Sequence, residues 1–141
     1  MSKESIAVGL FVYLIMLFTQ TFIMNSGENS IHLIPFEVIT AQIHNIYDNA
    51  YNWKPFIFNV VGNICVFIPV GIMISYLLEN NFKRTILYCL IISLFIETVQ
   101  IPLERTTDID DIILNTTGAF VGCLICKSVL WALKKRELSD K

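Results

Sequence analysis

Residues 97–122, ETVQIPLERTTDIDDIILNTTGAFVG, place a dense group of charged and amide side chains between two strongly apolar segments. The charged members are two glutamates, an arginine and three aspartates. A charged side chain at the centre of a membrane helix costs roughly 2.5–3.5 kcal/mol on insertion scales. A chain keeps such groups where they pair, cap a helix or act on a ligand. This stretch therefore predicts the junction of two membrane helices and a candidate site at that junction.

The rest of the chain is also too apolar for an ordinary soluble domain. Its 141 residues are 55% hydrophobic and have a mean hydropathy of +0.62, and so small a core cannot bury that much apolar surface. Four segments have the length that a helix needs to cross about 30 Å of hydrocarbon. They are residues 5–24, 56–78, 85–101 and 112–133. None shows the period-two alternation of barrel strands. We predict a single domain over residues 1–141, an all-α polytopic membrane protein with four transmembrane helices.

The first segment could alternatively be a cleaved signal peptide. Its apolar run is longer than the roughly 7–15 residues usual for such peptides, and no small-x-small cleavage site precedes Asn25. We therefore expect it to be retained as a membrane helix.

The distribution of basic residues predicts the orientation of the chain in the membrane. With four spans, the N-terminus, the second loop and the C-terminus share one side of the membrane. Seven lysines and arginines fall on that side, against Lys54 and Arg105 on the other. Positively charged loops stay inside, so we expect both termini in the cytoplasm. The basic C-terminal tail is a topology signal, with contact to anionic lipid as an additional role, and does not indicate nucleic-acid binding.

The first outer loop contains a second, shorter helical pattern. Its apolar positions recur at helical spacing and oppose polar ones. They are Phe36, Ile39, Ile43, Ile46, Tyr47 and Ala50. This pattern predicts a short interfacial helix on the outer membrane surface. His32 and His44 are expected to be solvated loop residues rather than metal ligands or bases.

The positions of the four cysteines indicate a packing role rather than metal binding or redox chemistry. Cys65, Cys89, Cys123 and Cys126 all lie inside predicted spans, where an apolar setting disfavours the thiolates that zinc or redox chemistry needs. A disulfide or metal role for the C-x-x-C pair at residues 123–126 is the less favoured alternative. We predict no cofactor and no metal site.

Polar residues of three predicted spans converge at one depth in the outer leaflet. Asn59 and Asn63 share a face of the second span, and Glu97 and Gln100 share a face near the end of the third. On the fourth, a stripe from Asp111 continues through Asn115 to Gly118, Gly122 and Cys126, and its small residues permit close helix packing. The candidate ligand-binding residues are Asn59, Asn63, Glu97, Gln100, Arg105, Asp108, Asp110, Asp111 and Asn115.

Two interpretations of this group stay open. In the structural one, Asp108 caps the last helix with Asp111 at its third position, Arg105 pairs with Glu97 or an aspartate, and the asparagines bond between helices. This explains less well why so many polar groups crowd together.

In the functional interpretation, Arg105 binds a lipid phosphate or pyrophosphate by bidentate hydrogen bonds. Several carboxylates could hold a bridging divalent cation. Glu97, in apolar surroundings, is the candidate acid or base for catalysis.

In these residues and in its span layout, the chain resembles the VanZ-like membrane proteins. The resemblance covers roughly residues 5–130 and includes LIPF at residues 33–36 and NVVGNICVFIPVG at residues 59–71. It depends most on an ordered set, Glu97, Gln100, Arg105, Asp108, Asp110, Asp111, Asn115, Gly118 and Gly122. The chain departs from the pattern at residues 101–104, where a Gly-Arg turn is often found, and at Thr107, where a bulky apolar residue is common.

The resemblance implies a protein of the bacterial cytoplasmic membrane. The family is named for an accessory protein linked to resistance against teicoplanin, a glycopeptide with a lipid tail, and that protein acts without rebuilding the peptidoglycan precursor. The expected partners are membrane lipids, a lipid-linked cell-wall precursor or the lipoglycopeptide itself. The alternatives are an enzyme that modifies a lipid headgroup and a structural or partner subunit.

Overall fold

Helices make up nearly all of the structure, a computed structural model that describes residues 2–23, 31–48, 52–103 and 107–139. The helices are α1 (Lys3–Ile23), α2 (Glu37–Asp48), α3 (Lys54–Leu77), α4 (Phe82–Gln100) and α5 (Ile109–Ser139). A 3-10 turn, Ile101–Leu103, follows α4. The two strands, β1 (Ile31–His32) and β2 (Thr107–Asp108), have two residues each. The all-α prediction is confirmed.

The observed helices match the predicted spans with small shifts at their ends. The largest shift is at α5, which ends at Ser139 instead of residue 133, because the polar tail consists mostly of good helix formers. Helix α4 gives way to the 3-10 turn at Pro102, since proline lacks a backbone N–H. The helix predicted in the first loop is α2.

Three helices in the described part of the chain are long and apolar enough to cross a membrane, namely α1, α3 and α5. Helix α4 has 19 residues, but it carries Lys83 and Arg84 in its first turn and Glu97 near its end. The structure therefore supports a membrane protein, and the four-span count stays a prediction.

Helices α3 and α5 run parallel and touch along their backbones. A Cβ atom added at Gly118 would lie 2.2 Å from the carbonyl oxygen of Ile64, and one at Gly122 would lie 2.2 Å from that of Ile68. At Gly71 it would lie 2.3 Å from the carbonyl oxygen of Ala119. Side chains larger than hydrogen would force the helices apart, so these glycines set the helix separation. The close packing predicted for the small-residue stripe is confirmed at Gly118 and Gly122.

The remaining long helices run antiparallel to this pair. Tyr13 in α1 donates a hydrogen bond to the carbonyl oxygen of Val66 in α3 at 2.9 Å, and Lys3 lies 2.5 Å from Glu79 just beyond α3. Asn115 in α5 donates to Ser93 in α4 at 2.9 Å. The start of α1, the end of α3, the start of α4 and the end of α5 therefore lie at one end of the molecule.

That end carries most of the basic residues and is called the basic end below. Its members are Lys3, Lys83, Arg84, Lys134, Lys135 and Arg136. The opposite end, where α2 lies, is called the α2 end. Between them, the core contains Phe67, Val70 and Ile74 of α3, Cys89 of α4 and Ala119 of α5.

The parallel pairing of β1 with β2 was not predicted from the sequence. Ile31 pairs with Thr107 and His32 with Asp108. Segments this short carry no alternating pattern of apolar residues, so the pairing depends on tertiary contacts. It brings the first loop against the residues that precede α5.

We expect Gly118→Ala to destabilise the protein by about 1–3 kcal/mol through overpacking against Ile64. Gly62→Ala is the matched control, because a Cβ at Gly62 meets nothing within 4 Å, and alanine there should be neutral or stabilise by up to about 1 kcal/mol. Denaturant unfolding of the two variants in detergent micelles measures the difference. Equal stabilities would show that the backbone contact does not set the helix separation.

Candidate functional site

The turn into α5 is held by Glu97 of α4. The Glu97 side chain is only 3% exposed, and its Oε2 accepts a hydrogen bond of 3.1 Å from the backbone N–H of Asp108. Thr107 donates its hydroxyl to the backbone carbonyl of Glu97 at 3.4 Å. Glu97 therefore fixes the segment that leads into α5.

Asp108 caps α5, as the structural interpretation predicts. Its Oδ1 accepts from the backbone N–H of Asp110 at 2.9 Å, which satisfies one of the unpaired donors at the start of the helix. Burial raises the pKa of the Asp108 carboxyl, and the N–H of Asp110 opposes this by stabilising the charged form. One of the three aspartates thus has a clear capping role.

Asp110 has a capping role of a different kind, on another helix. Its side chain is 0% exposed, and its two carboxylate oxygens accept from the backbone N–H groups of Phe36 and Ile39, the latter at 3.2 Å. Phe36 has a positive φ of 65° and turns the chain into α2. A carboxylate is favourable at this positive end of a helix dipole. Asp110 thereby ties the start of α2 to the start of α5.

Sequence reasoning missed this contact, although a signal for it was present. The residues immediately before α2 are Pro35 and Phe36, neither of which has a side chain that can cap a helix. The first backbone N–H groups of a helix without its own cap need an acceptor from another residue or from water. One of the three aspartates before or within the first turn of α5 was available for that purpose.

A series of hydrogen bonds from amide side chains connects α2, α3 and α5. Asn63 donates to Asp111 at 2.5 Å and to Asn59 at 3.0 Å. Asn59 in turn donates to Gln42 of α2 at 3.5 Å, the weakest of these contacts. The predicted shared face of Asn59 and Asn63 is confirmed, and Gln42 is an additional member that the sequence analysis did not single out.

The structure brings together the predicted site residues that it describes. Those with mostly buried side chains are Glu97, Gln100, Asp108, Asp110 and Asn115, and those partly exposed are Asn59, Asn63 and Asp111. Arg105, the predicted phosphate ligand, lies outside the described residues. The polar cluster, as these eight residues together with Gln42 are called below, occupies the α2 end of α3, α4 and α5.

The two histidines differ from each other. His44 is exposed on α2 as expected. His32 lies in β1, where its backbone pairs with Asp108, so its assignment to a loop is wrong. Its side chain is 32% exposed and places Nδ1 3.4 Å from Glu37. Across the described ranges, no group of three or more His, Cys, Asp or Glu side chains is arranged to hold a metal ion.

Three of the four cysteines are buried, namely Cys89, Cys123 and Cys126, while Cys65 is exposed on α3. Cys123 lies 3.3 Å from the hydroxyl of Ser75 across the α3–α5 contact. A position inside this interface agrees with a packing role for Cys123.

Apolar helices of membrane length, together with a buried polar cluster at one end, define a membrane protein whose candidate site lies at a helix end. A sequence model of the VanZ/LLP1 family matches residues 6–132, and the chain belongs to this family. It is 27% identical over 106 residues to "Protein VanZ" of Enterococcus faecium. That match includes 70% of this chain and spans 63% of the length of the relative. No solved structure matches the chain.

We expect Asp110→Ala to loosen α2, because two backbone donors lose a buried acceptor at a cost of about 1–3 kcal/mol each. Hydrogen–deuterium exchange of residues 36–40 should become at least tenfold faster, while exchange in α3 changes little. Asp48→Ala, at the exposed C-terminal end of the same helix, is the matched control. Unchanged exchange in the Asp110 variant would mean that other contacts hold α2.

Proposed function

We propose that the chain is a VanZ-like protein of the bacterial cytoplasmic membrane in which α1, α3, α4 and α5 all cross the bilayer. Both termini lie in the cytoplasm, and the α2 end faces outward. The location of Lys83, Arg84 and Lys134 at the basic end supports this orientation. Reporter fusions after Ser139 test it: a fluorescent protein should be active there, and activity of alkaline phosphatase instead would reverse the orientation.

Helix α2 would lie on the outer membrane surface as the predicted interfacial helix. It is amphipathic, and Ile43 and Tyr47 are exposed, as is Phe36 at its start. Exposed apolar residues on a short helix beside membrane spans suit the boundary between headgroups and acyl chains. Asp110 holds α2 in this position from inside the protein.

The polar cluster would engage an envelope lipid or a lipid-linked cell-wall precursor. The observation that carries this proposal is that α2, α3, α4 and α5 all contribute polar side chains to one end of the molecule, from Gln42 through Asn59 and Asn63 to Asp111. Burying polar groups is costly unless they are hydrogen-bonded. Capping accounts for Asp108 and Asp110, but it does not require the amide series that reaches the partly exposed Gln42.

Within this site Arg105 is the proposed partner of the phosphate. Its guanidinium group is suited to bidentate recognition of a phosphate, and its position in the chain is two residues before β2. Glu97 and Gln100 would set the geometry of the turn. The result for the cell would be lower susceptibility to teicoplanin-type lipoglycopeptides, a role suggested by the family name and the relative "Protein VanZ".

Catalysis on a lipid headgroup, with Glu97 as acid or base, is the alternative. The hydrogen bond from the Asp108 N–H to Glu97 favours a positioning role for this carboxylate over a catalytic one. Turnover of a lipid headgroup by purified protein, lost in Glu97→Gln, would support the enzyme instead. A structural subunit is the third possibility, for which Glu97→Gln should lower protein abundance and activity together.

The proposal predicts selective protection against teicoplanin over vancomycin in a sensitive Gram-positive host that expresses the protein. Arg105→Ala and Glu97→Gln should each abolish this protection, because the first removes the phosphate partner and the second weakens the turn. Minimal inhibitory concentrations at matched membrane levels provide the measurement. Arg84→Ala and Glu137→Gln, both exposed at the basic end, are the matched controls and should protect like the wild type.

Loss of protection in the controls as well would indicate a general effect of charge or expression. Well-expressed wild type that gives no protection would contradict the resistance role, and protection retained in Arg105→Ala would contradict the phosphate role of that residue.

A further inference from the structure

An apolar groove lies at the basic end, between α1, α3 and α5. Its volume is about 660 Å³, which is in the range of about 300–1,000 Å³ usual for small-molecule sites. Gly9 of α1 and Leu130 of α5 are among the lining residues, and nearly all of the others are also apolar. The groove lies at the opposite end of the molecule from the polar cluster, so nothing in the proposed function accounts for it.

The groove has the length of one leaflet. Along α5 its lining extends from Ile125 to Leu133, which corresponds to about 12 Å at 1.5 Å per residue. Half of the roughly 30 Å hydrocarbon core is about 15 Å. An acyl chain that enters from the basic end would therefore fill the groove without reaching the other leaflet.

Positive charge follows directly where the apolar lining ends. Leu133 is the last lining residue on α5, and Lys134, Lys135 and Arg136 come next in the same helix. Lys134, Lys135 and Arg136 are all exposed, and Lys135 lies over the ring of Trp131 at 5.4 Å. Basic side chains beside a membrane helix attract anionic headgroups by about 1 kcal/mol each.

We propose that this groove binds one anionic phospholipid from the leaflet at the basic end. One acyl chain lies between α1 and α5, and the phosphate contacts Lys134 and Arg136. The charge complementarity favours a lipid over a helix of a second copy of this chain, since an apolar helix would not use the basic residues. The site is independent of the polar cluster and does not require the proposed function.

Gly9 allows a direct test, because a Cβ added there meets nothing within 4 Å and would enter open space in the groove. Gly9→Leu should fill the groove without disturbing the fold. Gly62→Leu is the matched control, since a Cβ there also meets open space and Gly62 is not among the residues that line the groove. Lys134→Gln with Arg136→Gln removes the charge while the groove stays open.

Native mass spectrometry of the purified protein in detergent, titrated with phosphatidylglycerol or phosphatidylcholine, measures the binding. We expect a single tightly held phosphatidylglycerol, preferred over phosphatidylcholine by at least tenfold. Gly9→Leu should weaken its binding at least tenfold and Gly62→Leu should not change it. The double Gln variant should bind both lipids alike. Thermal unfolding followed by circular dichroism should show that Gly9→Leu and Gly62→Leu are equally folded.

Three results would overturn the proposal. They are equal binding of the two lipids by the wild type, unchanged binding by Gly9→Leu, and a dimer that Gly9→Leu disrupts in place of a lipid adduct. The last would assign the groove to a second copy of the chain.

Discussion

The close parallel contact between α3 and α5 is the constraint on which the rest of the structure depends. Gly71, Gly118 and Gly122 let the two backbones touch. Such close packing matters because lipid gives membrane helices no hydrophobic drive to associate. The same contact fixes the register, which brings Asn63 of α3 to Asp111 of α5. A shift by one residue would rotate these groups apart, so the packing of small residues also assembles the polar cluster.

Three neighbouring aspartates of one short segment make contacts with three different helices. Asp108 caps its own helix and Asp110 caps α2, while Asp111 joins the amide series through Asn63. Three aspartates within four residues are therefore not redundant, because each points toward a different element. Through these contacts the start of α5 is tied to α2 and α3.

Much of this arrangement follows from the sequence. The lengths of the apolar segments predict the long helices, and helical spacing of Asn59 with Asn63 predicts their shared face. The periodicity of residues along a helix does not predict contacts between distant segments. The capping of α2 by Asp110 and the β1–β2 pairing were therefore missed. His32 was assigned to a loop for the same reason, since the pairing of β1 with β2 involves a segment that is distant in sequence.

Binding of a polyprenyl diphosphate to purified protein in lipid nanodiscs is the most direct test of the central claim, that the polar cluster engages a lipid-linked phosphate. Wild type should bind it in preference to the corresponding uncharged polyprenol, and Arg105→Ala should weaken binding at least tenfold, about 1.4 kcal/mol, while Arg84→Ala, an exposed arginine at the basic end, leaves it unchanged. Equal binding of the diphosphate and the alcohol, or undiminished binding by Arg105→Ala, would contradict the claim and leave the cluster with a purely structural role.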